Sequence, residues 1–166
     1  MSDYYGASIE IGGKVSRKNI EEMVSIINAH YIGQIGFEYG EESEDPFSAD
    51  ALIERITSEE SLSFVGNAVR NGWFPELEQL LVENAIPFVR HSEASVEADT
   101  EMRVFTGEKD ATYNATDRGD ALANATQLNH FLHLIKDGRC DEAVSAIQEI
   151  TVGHVLPPMR IEQEVA

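Results

Sequence analysis

His130 and His133 stand three residues apart in a stretch of helical periodicity, so their imidazoles are neighbours on one helix face. Neutral imidazoles at that spacing can share a metal ion, and Cys140 with Asp141 just beyond the next turn offers further ligands. No HExxH or CxxC frame surrounds the pair. Both histidines fall opposite the apolar stripe Leu128, Phe131, Leu132 and Ile135, which places them in solvent. Cys140 as a nucleophile needs a base, and His133 is the local choice. These three residues define one reading, a small metal- or thiol-dependent enzyme. An exposed imidazole pair beside a structural thiol is the favoured explanation, and the expectation carried forward is no catalytic residue, no metal and no cofactor.

Two glycine-rich stretches invite comparison with phosphate loops. Ile11-Gly12-Gly13-Lys14 lacks the GxxxxGK[ST] spacing, and Gly33, Gly36 and Gly40 miss the dinucleotide fingerprint. A tight turn after a first strand accounts for the former pair. Arg90 and His91 close a predicted strand and precede Glu93, a pattern that reads as a local ion pair. Trp73, Phe74 and Leu77 resemble a binding hot spot, but at helical spacing they read as core.

Charge is the strongest signal. Thirty acidic side chains face twelve basic ones, a formal net charge of −18. Residues 38–60 hold Glu38, Glu41, Glu42, Glu44, Asp45, Asp50, Glu54, Glu59 and Glu60 against Arg55 alone. Residues 76–101 hold Glu76, Glu78, Glu83, Glu93, Glu97, Asp99 and Glu101 against Arg90 alone. Such a field repels nucleic acid and speeds encounter with a cationic partner. Direct binding to a nucleic-acid backbone needs the opposite sign of side chain. Carboxylates at helical i, i+3 and i, i+4 spacing lie roughly 5–6 Å apart at Cβ. That approaches the spacing of phosphates along a strand, about 7 Å, so an acidic helix-and-loop surface can fill a basic groove made for polynucleotide. Glu38, Glu41, Glu42, Glu44, Asp45, Glu54, Glu59 and Glu60 are the candidate contact residues, extended by Glu76, Glu78 and Glu83. Solubility alone is the plain alternative.

The elements that must position these groups follow from periodicity. Ala7–Ile11 alternates as a half-buried strand. Ser16 caps a helix whose apolar stripe is Ile20, Met23, Val24, Ile27 and Tyr31, ended by Gly33. Residues 34–46 read as a loop. Ser48 or Asp50 opens a short helix with Ala49, Leu52, Ile53 and Ile56 inward, and residues 61–66 form a second strand. Asn71-Gly72 marks a turn, and Pro75 opens a helix with Trp73, Phe74, Leu77, Leu80 and Leu81 inward and Glu76, Glu78 and Glu83 outward. Residues 86–90 form a strand placed at an edge by Pro87. Met102–Thr106 and Ala111–Thr116 form a hairpin. Two helices follow, one ending at Gly138 and one carrying Ala143, Val144, Ile147 and Ile150. The order β-α-α-β-α-β-β-β-α-α predicts one α+β domain over residues 1–152. It combines a small mixed or antiparallel sheet, helices on one face and a C-terminal helical pair. Residues 153–166, with Pro157-Pro158, read as an irregular or loosely docked tail. A single cysteine, no leader-like opening and no membrane-length apolar run point to the cytoplasm. The Asn114 and Asn124 NAT triplets are then chance sequons.

At YYGASIEIGG and at WFPELEQLLVENAIPFVRHSEA the chain resembles short acidic proteins carried by bacterial phages and plasmids, for which no catalytic residues are known. In charge and length it is also similar to anti-restriction and anti-CRISPR proteins that act as DNA mimics. The resemblance implies a host-defence inhibitor whose partner is a basic, nucleic-acid-binding protein surface. The runner-up is a regulatory or scaffold protein that recognises its partner through an apolar patch.

Overall fold

Alternation in the first strand sets the floor of the molecule. In β1 (Tyr4–Ile11), Ala7, Ile9 and Ile11 are buried while Glu10 faces solvent. The computed structural model describes residues 4–30, 32–34, 47–58, 61–70, 72–93, 99–116, 118–151 and 155–162. Two-residue strands β2 (Lys14–Val15) and β3 (Gly33–Gln34) flank helix α1 (Arg17–Ala29). Helix α2 (Ala49–Ser58), strand β4 (Leu62–Arg70) and helix α3 (Pro75–Glu83) come next. Then follow β5 (Phe88–Ser92), β6 (Glu101–Phe105), β7 (Asp110–Ala115) and β8 (Ala121–Leu122). Helices α4 (Ala125–Lys136) and α5 (Cys140–Thr151) and strand β9 (Arg160–Ile161) complete the chain. Seven strands form one sheet in the order β3-β4-β1-β5-β6-β7-β8, antiparallel throughout. The fold is α+β, and the C-terminal helical pair is α4 and α5. With the two-residue strands set aside, the element order is the one the periodicity predicts.

One face of the sheet carries the main core. Ile9, Ile11, Leu62, Phe64 and Phe88 meet Ile20, Met23 and Ile27 of α1, Leu52 and Ile56 of α2, and Leu77, Leu80 and Leu81 of α3. The opposite face holds a smaller cluster of Met102, Val104 and Ala115. The caps follow sequence chemistry. Ser16 Oγ accepts the Asn19 amide at 3.2 Å, and Ser48 Oγ, rather than Asp50, accepts the Ala51 amide. Asn124 of the second NAT triplet is an N-cap in a reciprocal capping box with Gln127.

Three placements depart from the pattern. The strand containing Arg90 is interior, paired with β1 on one side and β6 on the other. Pro87 lies just before it, where its missing N–H costs no ladder bond, and its carbonyl accepts the Gly12 amide. Gly33 begins β3, and α1 ends at His30. In α4 the buried residues are Phe131 and Leu134, while Leu128, Leu132 and Ile135 are half-exposed. The loop expected over 34–46 lies outside the described residues apart from Gln34.

Among the described residues of the tail, 155–162, there is no helix, yet this segment is joined to the body by backbone bonds. β9 runs parallel to β2, the Gly13 amide donates to Pro157 O at 2.8 Å, and Met159 is buried in the main core. This contact explains Gly12-Gly13. A Cβ on Gly12 would stand 2.4 Å from Pro157 O, and Gly13 holds φ +82°. The glycines therefore seat the tail rather than a phosphate. Met159→Ala should lower stability by about 2–5 kcal/mol in urea unfolding, as expected for truncating a buried methionine. A loss below about 0.5 kcal/mol would show that the tail is only resting on the surface.

Candidate functional site

Strand parity decides which polar groups meet. Phe88 and Phe105 point into the main core as directly opposed partners of β5 and β6. Two residues along, Arg90 and Arg103 are therefore opposed on that same face. His91 falls on the other face, so the Arg90–His91 neighbours in sequence do not form a joint site.

Helix α3 lies over the two arginines and supplies their counter-charge. Phe74, Leu77 and Leu81 are buried along one side, and Glu78 shares that side because it is four residues after Phe74 and three before Leu81. The outward placement of Glu78 is thus corrected: its residue exposure is 4%. Its Oε1 accepts the Phe74 amide at 2.9 Å, completing a helix N-terminus that has no side-chain cap. The same oxygen lies 3.2 Å from Arg90 Nε, an ionic contact whose N–H is not aligned for a hydrogen bond. Oε2 accepts from Arg103 Nη1 at 2.5 Å.

The network extends outward at both ends. Arg90, 2% exposed, donates through Nη1 to Gly72 O at 3.2 Å and Ser92 Oγ at 2.7 Å, and through Nη2 to Glu101 Oε1. Arg103 grips Asp110 with two parallel bonds, Nε to Oδ1 at 3.0 Å and Nη2 to Oδ2 at 2.6 Å. The bonds to Asp110, with the one to Glu78, hold the Arg103 guanidinium above its ordinary range against partial burial. Reciprocally, the Arg103 hydrogen bonds hold the Asp110 carboxyl below the usual carboxylate range. Arginine does not release its proton, so this constellation is a fixed charge array rather than acid–base machinery.

Where α3 ends and the sheet continues, a cleft of about 620 Å³ opens over this array. Trp73, Pro75 and Val82 give it apolar walls, and Arg90, Glu101 and Arg103 lie along its sheet side. Trp73 is 47% exposed and belongs to the cleft, not to the core stripe. A second cleft of about 650 Å³ is lined from the opposite face by His91, Ser8, Glu93, Arg118 and Gly119, and His91 Nε2 is buried there without a hydrogen bond. A third, about 410 Å³, lies along α4 and α5 beside His130 and Glu142.

The acidic candidates divide. Glu38, Glu41, Glu42, Glu44, Asp45, Glu59 and Glu60 lie outside the described residues. Glu54 on α2 is exposed. Glu76 is exposed and 3.0 Å from His30 Nε2, and Glu83 accepts from Gln79 at 2.7 Å. Glu78 is neutralised internally by arginine. His130 and His133 are exposed on α4, and Cys140 is exposed at the first turn of α5. Among the described residues no three His, Cys, Asp or Glu side chains stand close enough together to hold a metal ion. No helix among them is long and apolar enough to cross a membrane. Comparison with family models, with curated proteins and with solved structures finds no match.

Breaking the central ion triplet should be costly. Glu78→Ala leaves Arg90 buried beside Glu101 alone and should destabilise by about 3–5 kcal/mol, while Glu83→Ala stays within about 0.5 kcal/mol. Equal effects by urea unfolding would contradict the assignment. Asp110 gives a pH signature. Its folded-state affinity for protons is depressed, so its contribution is present above the ordinary carboxylate range and is lost as pH falls through the lowered value. Asp110→Asn should therefore flatten the fall in unfolding midpoint below about pH 4. An unchanged acid limb would contradict it.

Proposed function

We propose that this is a non-enzymatic acidic binding protein that occupies a basic, nucleic-acid-binding surface of another protein. It would act in the manner of phage or plasmid inhibitors of bacterial defence complexes, such as anti-restriction or anti-CRISPR proteins. The disposition of the cations carries the reading. At least six of the twelve basic side chains are engaged by carboxylates of the chain itself. Arg17 pairs with Glu21 and Asp50, Lys18 with Glu22, Lys109 with Glu149 and Arg139 with Glu142. Arg90 and Arg103 are bound in the Glu78 network. The exposed pairs add little stability, but each removes a cation from what a partner meets. On the described helices Glu54 and Glu83 carry exposed charge, and the sequence adds Glu38, Glu41, Glu42, Glu44, Asp45, Glu59 and Glu60, against exposed Lys14, Arg118, Lys136 and Arg160. Glu78 is withdrawn from that set.

The test is capture from a bacterial lysate at two salt concentrations, followed by purification of the captured protein and competition with duplex DNA. Affinity should fall at least about tenfold between about 50 and 300 mM salt, and DNA should displace the complex. Replacing Glu41, Glu42, Glu44 and Glu59 by lysine should abolish capture with the unfolding midpoint unchanged. Capture by that variant, or indifference to DNA, would reject the proposal.

A second reading has its own observation. Leu128, Leu132 and Ile135 form a half-exposed apolar row on α4, with Val144 exposed on α5. A regulatory or scaffold protein would use such a row, with charge serving solubility. Under that reading Leu128→Ser with Leu132→Ser removes binding, and binding is indifferent to salt.

A further inference from the structure

The cleft over the Glu78 network combines an apolar wall with an uneven supply of hydrogen-bonding groups. Every guanidinium nitrogen of Arg103 already donates to a carboxylate, and both terminal nitrogens of Arg90 are engaged. Arg90 Nε is buried against Glu78. An anion entering the cleft would meet guanidinium groups already turned to carboxylates of the chain, with only the second N–H of Arg103 Nη1, Arg103 Nη2 and Arg90 Nη2 left over. Unbonded acceptors lie beside them. Among the described residues, Glu101 uses Oε1 toward Arg90 and Glu83 uses Oε1 toward Gln79, which leaves the second oxygen of each without a hydrogen bond. Counting the charged lining residues, Glu78, Glu83 and Glu101 outnumber Arg90 and Arg103.

The wall fits the same kind of guest. Trp73 is the chain's single tryptophan, and indole is the strongest aromatic partner for a cation. The Arg90 guanidinium carbon already lies 6.0 Å from the ring centroid, so the indole is in cation contact from within the fold and remains 47% exposed outside. Pro75 and Val82 continue the apolar surface along α3. A long basic side chain lays its alkyl stem on such a wall and delivers its charge to carboxylates at the far end. A planar guanidinium also stacks on indole, which a lysine ammonium does not.

We propose that the Trp73 cleft receives an arginine side chain presented by a basic protein partner. This rests on the charge-based reading above and names the contact that converts steering into affinity. Its geometry is independent of the acidic residues beyond α2, because the cleft is built wholly from α3, β5, β6 and β7 and the turn that holds Trp73.

Tryptophan emission reports this site alone. The whole protein is titrated with an arginine–glycine repeat peptide, with the same peptide carrying neutral citrulline for arginine, and with inorganic phosphate at matched ionic strength. The arginine peptide should give a saturable change, the citrulline peptide should bind at least about tenfold more weakly, and phosphate should give none. Glu83→Gln, a substitution on the helix surface, should weaken the arginine peptide about threefold with the unfolding midpoint unchanged. Equal responses to arginine and citrulline would mean a neutral apolar ligand, and a phosphate response would mean an anion site; either overturns the proposal. So does the absence of any saturable response to the arginine peptide. If the cleft fails while capture of a basic protein remains salt-sensitive, the charge reading stands without it; loss of both ends both.

Discussion

A single carboxylate between two guanidinium groups organises one side of this molecule. Glu78 closes the N-terminus of α3, meets Arg90 from the central strand and Arg103 from its neighbour, and so fixes the helix against the sheet at one register. Buried ion pairs are poor sources of net stability, since desolvation opposes attraction, and a well-packed apolar substitute often does as well. Moving α3 along the sheet would leave these charges buried without partners. The apolar core of Leu77, Phe88 and Phe105 supplies the drive, and the ion network selects the arrangement.

The same network sets what the surface offers. Two arginines that could have formed a phosphate site are turned inward and paired with carboxylates of the chain. The ion pairs at Arg17, Lys18, Lys109 and Arg139 act similarly at the exterior. A chain with twelve basic residues thus presents fewer free cations than its composition suggests. The electrostatic character of the protein arises from placement as well as from count, because a paired cation adds almost nothing to the field a partner feels at a Debye length of about 8–10 Å.

Much of this was legible in the sequence, and the exceptions have specific physical causes. Periodicity located every long element, since an amphipathic helix or a half-buried strand must alternate at its own period. The two-residue strands carry no period and were invisible. The apolar stripe of α3 predicts Glu78 outward, although its spacing from Phe74 and Leu81 places it on the buried side. The alternation Phe88-Arg90 and Arg103-Phe105 held the matching signal, two inward arginines in need of an acid. Helical spacing puts Trp73 with the core, but Trp73 lies before the first turn of α3, where that spacing does not apply. The α4 stripe failed differently. Leu128, Leu132 and Ile135 are correctly apolar and correctly spaced, yet α4 buries Phe131 and Leu134 and leaves the row half-exposed. A sequence shows that a face is apolar; it does not show whether the cover belongs to the same chain.

The most direct measurement is the near-surface electrostatic potential at individual backbone amides, read from NMR relaxation by matched cationic and anionic paramagnetic cosolutes. With the arginines neutralised inside, amides around the mouth of the Trp73 cleft and along α3 should attract the cationic probe and exclude the anionic one. A positive potential at those amides would show that Arg90 and Arg103 project their charge outward, and the account of an internally silenced, outwardly acidic surface would be wrong.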